Sequence, residues 1–251
     1  MSIIKVENLV KQYGTFTAVK GISFEVQQGT IFGLLGPNGA GKTTTLEIIE
    51  TLRPKTSGKV WVDGMDLDTH PQQIKQIIGV QLQASGFYPN LNLKELIELF
   101  AGLYNETVDP MELLRSVNLE DKARSKFKQL SGGQKQRFSI ATTLINKPKV
   151  IFLDEPTTGL DPQARRNLWD LIRQLKQNGT TIVITTHYMD EAEELCDRVA
   201  IVDSGTIIRE DTPDHLIDQL LDSGFQRTKK TKEANLEDVF LNLTGKELRE
   251  G

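Results

Sequence analysis

Gly36-Pro37-Asn38-Gly39-Ala40-Gly41-Lys42-Thr43 has the spacing G-x-x-x-x-G-K-[ST]. Glycines so placed let successive backbone N–H groups curl around a chain of phosphates, and a helix next in the chain points its positive end at them. Lys42 would reach the outer phosphates, and the Thr43 hydroxyl would hold a divalent cation. A second group is Asp154-Glu155, two adjacent carboxylates that end the apolar run Val150-Ile151-Phe152-Leu153. At the carboxyl end of a strand such a pair faces the phosphate crevice. Asp154 would take the cation, directly or through water, and Glu155 would polarise an attacking water. A third group is Ser131-Gly132-Gly133-Gln134. Ser131 and Gln134 stand at capping-box spacing, and a helix start built of small residues is a further place for a phosphate.

These residues need elements to hold them. Thr30 to Leu35 is apolar without alternation, as in a strand covered on both faces, and it runs directly into the glycine loop. Lys42 to Thr51 then reads as a helix with Leu46 and Ile49 on one face. Ile22, Phe24 and Val26 alternate with polar residues, and Lys59 to Val62 before Asp63-Gly64 reads as a strand and tight turn. Ile77 to Gln83 reads as another short strand. The middle of the chain differs: Asn92 to Leu103, Pro110 to Val117 and Gln134 to Ile145 carry Leu, Ile and Phe at helical spacing. Strand signals return at Val150–Leu153, Thr181–Ile184 and Arg198–Val202, with a helix expected over Pro162–Gln177 and a hairpin turn at Asp203-Ser204-Gly205. The expected architecture is a parallel α/β core interrupted by a helical insertion at about 84–148.

Composition bounds the partners. The chain has 251 residues, 38% of them apolar and 25% charged, the balance of a folded protein long enough for one large domain. Thirty basic against 34 acidic residues give a charge of −4, which argues against broad contact with nucleic acid. Cys196 is the only cysteine, so an internal disulfide and a cysteine-based zinc site are excluded and a reducing compartment fits. The first residues lack the pattern of a signal peptide, and no apolar run approaches the ~20 residues of a membrane helix.

With Leu130-Ser131-Gly132-Gly133-Gln134 in place between the phosphate loop and the Asp154-Glu155 strand, the chain resembles the ATP-binding subunits of ABC transporters, whose signature is that pentapeptide. The resemblance runs from about Ile4 to Ile208. It implies an α/β P-loop NTPase fold: a RecA-like parallel sheet core, an N-terminal antiparallel β-subdomain and an inserted α-helical subdomain. It also implies an ATPase domain over 1–215, with a short extension over 216–251. Family members close head to tail as dimers, homodimers or heterodimers, with two ATP molecules sandwiched between them. The resemblance then implies that Tyr13 stacks on adenine, and that Gly36, Asn38, Gly39, Ala40, Gly41, Lys42, Thr43 and Thr44 bind ATP. Ser131, Gly132, Gly133 and Gln134 would meet the ATP of the opposite protomer. Thr43, Gln83 and Asp154 would hold Mg²⁺, and Glu155, His187 and Gln83 would be catalytic. Asp161, within Gly159-Leu160-Asp161-Pro162, would lie at the dimer interface. The Thr157-Thr158-Gly159 that precedes it is a mild departure from many relatives.

The stretch His187-Tyr188-Met189-Asp190-Glu191-Ala192-Glu193 is similar to ATPases that serve drug, antibiotic and lipid exporters. So is Asn235 to Gly245, a candidate amphipathic helix beyond the basic run Arg227, Lys229, Lys230 and Lys232. An exporter ATPase bound to an integral membrane permease, peripheral on the cytoplasmic face of the membrane, is the expectation. An importer ATPase and a soluble ATPase of iron–sulfur cluster assembly are the alternatives. No nucleic-acid partner is expected.

Overall fold

The computed structural model describes residues 1–81 and 86–223. The chain forms two compact units, Met1–His215 and Leu216–Gly251. Every described site residue belongs to the first unit, and of the second only a helical stretch and the residue after it are described.

Two sheets build the first unit. Two long strands, β1 (Ser2–Tyr13) and β2 (Phe16–Gln27), pair antiparallel, and β4 (Ser57–Val62) and β5 (Met65–Asp66) extend them in the order β2-β1-β4-β5. Alternating inward residues, Ile4, Val6, Ile22, Phe24, Val26, Val60 and Val62, make one face apolar. The second sheet holds β3 (Ile31–Leu35), β6 (Ile78–Val80), β7 (Val150–Asp154), β8 (Thr181–Thr186), β9 (Arg198–Asp203) and β10 (Thr206–Asp211), in the order β10-β9-β3-β8-β7-β6. All neighbours in it are parallel except β10 on β9. Strands β3, β7 and β8 are buried nearly throughout, which is why they read as continuous apolar runs.

Helix α1 (Lys42–Ile49) packs on β2, β7 and β8. Leu46, Ile48 and Ile49 join residues of both sheets in one core, where Phe24 of β2 stacks on Phe32 of β3 with ring centres 5.3 Å apart. Each such buried side chain contributes about 1.5–3 kcal/mol relative to exposure.

Helix α2 (Pro71–Ile77) leads into β6. Between β6 and β7 lie α3 (Leu93–Tyr104), α4 (Pro110–Ser116) and α5 (Gly132–Thr143), the expected helical insertion. Phe87, Phe100, Phe127 and Phe138 form its own aromatic cluster, with ring centres 4.5–5.8 Å apart. Helix α6 (Pro162–Gln177) comes after β7, and α7 (Met189–Leu195) after β8. Helix α8 (Pro213–Asp222) is the last described element. The strand expected over Ile77–Gln83 is shorter, because Ile77 closes α2 and pairing with β7 ends at Val80. The two expected tight turns form, with Asp63, Gly64, Ser204 and Gly205 all at positive φ.

Candidate active site

The parallel register aligns the carboxyl ends of three strands. Leu35 of β3 lies opposite Thr186 of β8, and Asp154 of β7 lies opposite Thr185. Three segments therefore emerge at one edge of the sheet: the glycine loop after β3, Glu155 after β7, and His187 after β8. This is where an open parallel sheet leaves a crevice for a ligand.

The loop depends on its glycines. A Cβ at Gly41, where φ is +100°, would lie 2.6 Å from the carbonyl oxygen of Ala18, and one at Gly36 would lie 2.1 Å from that of Val202. Gly39 also has positive φ, at +81°. Lys42 is only 4% exposed, and its ammonium donates to the carbonyls of Gly36 (2.7 Å) and Pro37 (3.0 Å). An open cleft of about 710 Å³ lies over the loop. Asn38, Gly39, Gly41, Lys42, Thr43 and Thr44 line it with Asp154, Glu155 and Thr158, and Tyr13, Phe16 and Ala18 stand on its β-subdomain side. Ala40 is buried beneath, its backbone oxygen accepting from Gly205 N–H (3.0 Å). Tyr13 is 39% exposed, with Lys11 Nζ 4.9 Å and Arg53 Cζ 5.6 Å from its ring centre.

The carboxylates are held tightly. Asp154 Oδ1 accepts from Thr43 Oγ1 at 3.1 Å and from Thr185 Oγ1. A hydroxyl and a carboxylate oxygen so close at the loop's exit are a donor set suited to a hard cation such as Mg²⁺. Glu155 has φ +46°, a left-handed conformation costing a non-glycine residue on the order of 1–2 kcal/mol. Its backbone N–H is fixed by the carbonyl and hydroxyl oxygens of Thr185, both at 3.1 Å. Its Oε1 faces Lys42 Nζ (3.6 Å) and His187 Nδ1 (3.2 Å), while Oε2 accepts from Thr158 Oγ1 (3.3 Å).

Ser131 caps α5 as its spacing predicts. Its hydroxyl accepts from Gln134 N–H (3.3 Å), and Gln134 Oε1 accepts from Ser131 N–H (2.9 Å). Gly132 and Gly133 approach the start of α6, where a Cβ would lie 3.7 Å from Leu160 Cδ2 and 3.0 Å from Ala164 Cβ respectively. The Asp161 carboxylate caps α6, accepting from the N–H groups of Gln163 (3.0 Å) and Ala164 (2.8 Å). Gln83 lies outside the described residues, as do the basic run and the helix candidate of the tail. The backbone N–H of Gln81, two residues before, donates to the carbonyl of Phe152 (3.1 Å).

Sequence reading alone missed Thr185 and Thr158, the hydroxyls that hold Asp154 and Glu155. Thr185 is the penultimate residue of β8, a strand rich in β-branched residues where Thr is ordinary. It also missed Glu50, which is 5% exposed at the end of α1. Burial, aided by the charges of Asp154 and Glu47, raises the Glu50 carboxyl to about 8.

A parallel sheet with a glycine phosphate loop, paired carboxylates and an inserted helical subdomain defines a nucleotide-binding cassette. The family model described as "ABC transporter" matches residues 19–158, and the chain belongs to that family as an ATP-binding subunit. It is 40% identical over 223 residues to the linearmycin resistance ATP-binding protein LnrL of Bacillus subtilis, covering 87% of this chain and 72% of that protein. It is 42% identical over 220 residues to the Nod factor export ATP-binding protein I of Ralstonia nicotianae, covering 86% and 68%. Among solved structures, it is similar to a dimeric post-hydrolysis state of an ATP-binding cassette bound to ADP and Pi. That match has a TM-score of 0.74 and 30% identity, and covers 84% of this chain and 98% of the other.

Proposed function

We propose that this chain is the ATP-hydrolysing subunit of an exporter, closing as an ATP-sandwich dimer to drive a separate membrane permease. The observation that carries the hydrolytic reading is the meeting of Lys42, Glu155 and His187 around one carboxylate oxygen at the mouth of the cleft. In this reading the loop N–H groups and Lys42 bind the phosphates of ATP, and Tyr13 stacks on adenine. Lys42 exchanges the Gly36 and Pro37 carbonyls for phosphate oxygens. Glu155 orients and polarises the attacking water, and His187 holds the far side of the terminal phosphate. Thr43 and Asp154, joined by Gln83, hold Mg²⁺, which when bound neutralises charge developing on the phosphates. Each ATP is completed by Ser131, Gly132, Gly133 and Gln134 of the other protomer, with Asp161 at the interface. Loss of phosphate removes those contacts, so the closed dimer loses the stabilisation that favours it over the open one. Residues 1–215 form the ATPase domain and 216–251 the extension.

The exporter assignment draws on relatives named for antibiotic resistance and for Nod factor export. Among the described residues no helix is long and apolar enough to cross a membrane; in this reading the permease supplies the route through it. Affinity purification of the Glu155→Gln form from detergent-solubilised native membranes, with ATP present, tests this. A polytopic membrane protein in stoichiometric amount is the expected result; soluble partners alone would overturn the transport reading.

A further inference from the structure

Tyr188, the residue after His187, takes no part in the hydrolytic chemistry. Its backbone N–H donates to Thr186 Oγ1 (3.0 Å), which pins the chain where β8 ends. Its ring centre lies 4.2 Å from that of His187, and the guanidinium carbon of Arg165 lies 4.6 Å from the same ring centre. Arg165 sits on the first turn of α6, and its backbone N–H donates to the carbonyl of Asp161 (2.9 Å). Its Nη1 reaches Asp190 Oδ2 at 3.2 Å. An ordinary surface ion pair leaves its arginine solvated and loosely placed. Here the Arg165 side chain is only 22% exposed, and its Nε is buried without a hydrogen-bond partner. Such desolvation strengthens the attraction of the cation for the ring face.

A continuous run of contacts therefore leads from Asp161 through Arg165, Tyr188 and His187 to Glu155. We propose that Arg165 and Tyr188 are positioning residues for His187, so that the setting of the α6 start is felt at the Glu155 carboxylate. The proposal rests on reading Glu155 and His187 as the hydrolytic pair. It requires a coupling measurement, since spatial continuity alone does not demonstrate one.

The chain has three histidines, so imidazole resonances of the full-length protein can be assigned by replacing His70 and His215 in turn. In Arg165→Ala, which leaves Tyr188 and His187 chemically intact, the His187 ring resonances should move while those of His70 and His215 stay. Turnover of ATP should fall roughly tenfold with KM changed less than about twofold, because misplacing one group in the site costs rate more than binding. Tyr188→Ala should behave alike, Tyr188→Phe should recover most of the rate, and the double variant should cost no more than Tyr188→Ala alone. Arg165→Gln, which keeps part of the aliphatic stem, serves if the alanine form does not fold. Unmoved His187 resonances in the Arg165 variant, or additive losses in the double variant, would overturn the proposal. If Glu155→Gln hydrolyses ATP like the unaltered chain, the hydrolytic reading fails instead, whatever the His187 spectrum shows.

Discussion

His187 Nδ1 lies 3.2 Å from Glu155 Oε1, and it is buried with no hydrogen bond aligned to it. The two residues are 32 positions apart in sequence and come together because β7 and β8 are parallel neighbours that end level with each other. Both then project over the glycine loop after β3, which pairs with the other side of β8. The Glu155 carboxylate, the His187 imidazole and the Lys42 ammonium thus share one small volume. Glu155 is held there in a backbone conformation that Thr185 compensates.

The loop tolerates no added side chain at Gly41. In Gly41→Ala the new methyl would meet the Ala18 carbonyl oxygen at 2.6 Å with φ at +100°. The backbone must shift, at a cost on the order of 1–3 kcal/mol, and the N–H groups would leave their arrangement around the phosphates. Fluorescent-nucleotide titration should show ATP binding weakened by at least about tenfold. Unchanged affinity would separate the loop from nucleotide binding.

Ser131 has two separable roles. As the cap of α5, its loss in Ser131→Ala should lower stability by about 1 kcal/mol, read from urea denaturation without nucleotide. As a contact to the ATP of the opposite protomer, its loss should weaken ATP-dependent dimerisation by roughly 10–100-fold, the range of a hydrogen bond to a charged group. A stability loss with dimerisation intact would leave Ser131 a cap and nothing more.

Glu50 makes stability depend on pH. Its folded carboxyl is raised to about 8, first by burial and then by the charges of Asp154 and Glu47. An acid with a raised folded value binds protons more tightly when folded, so stability falls as pH rises from the ordinary carboxylate range through about 8. Glu50→Gln removes that loss. Its Tm without nucleotide should exceed that of the unaltered chain at pH 9, by an amount on the order of 1–3 kcal/mol in stability, and the gap should narrow toward pH 5. A gap independent of pH would contradict this role of Glu50.

Elements whose residues answer to local rules were legible in the sequence. Thr30–Leu35 reads as a buried strand and is found one residue shorter, over Ile31–Leu35; Pro162–Gln177 reads as a helix between its proline and Asn178-Gly179, and Ser131 with Gln134 as a capping box, and both are found so. The helical insertion was legible because its Leu, Ile and Phe spacing differs from the β-branched runs on either side. Helices α2 and α7 were less so: α4 is equally short but opens with Asp109-Pro110 and carries two adjacent leucines, whereas α2 buries only Ile74 among polar residues and α7 has no side-chain cap. In β1, irregular pairing and the positive φ of Asn8 interrupt the alternation that marks a strand. The hydroxyls behind the carboxylates, the burial of Glu50 and the Arg165–Tyr188 contact arise between distant segments, and no local pattern announces them.

In the proposed function, Glu155 serves hydrolysis of ATP in a closed dimer. Steady-state turnover and ATP-dependent dimerisation, measured together for the unaltered chain and Glu155→Gln, test that role most directly. The amide keeps the shape of the side chain and removes the base, so turnover should fall by about 10²–10⁴-fold while ATP drives a dimer that persists. A Glu155→Gln form that hydrolyses ATP at the unaltered rate, or that binds ATP and stays monomeric, would contradict it.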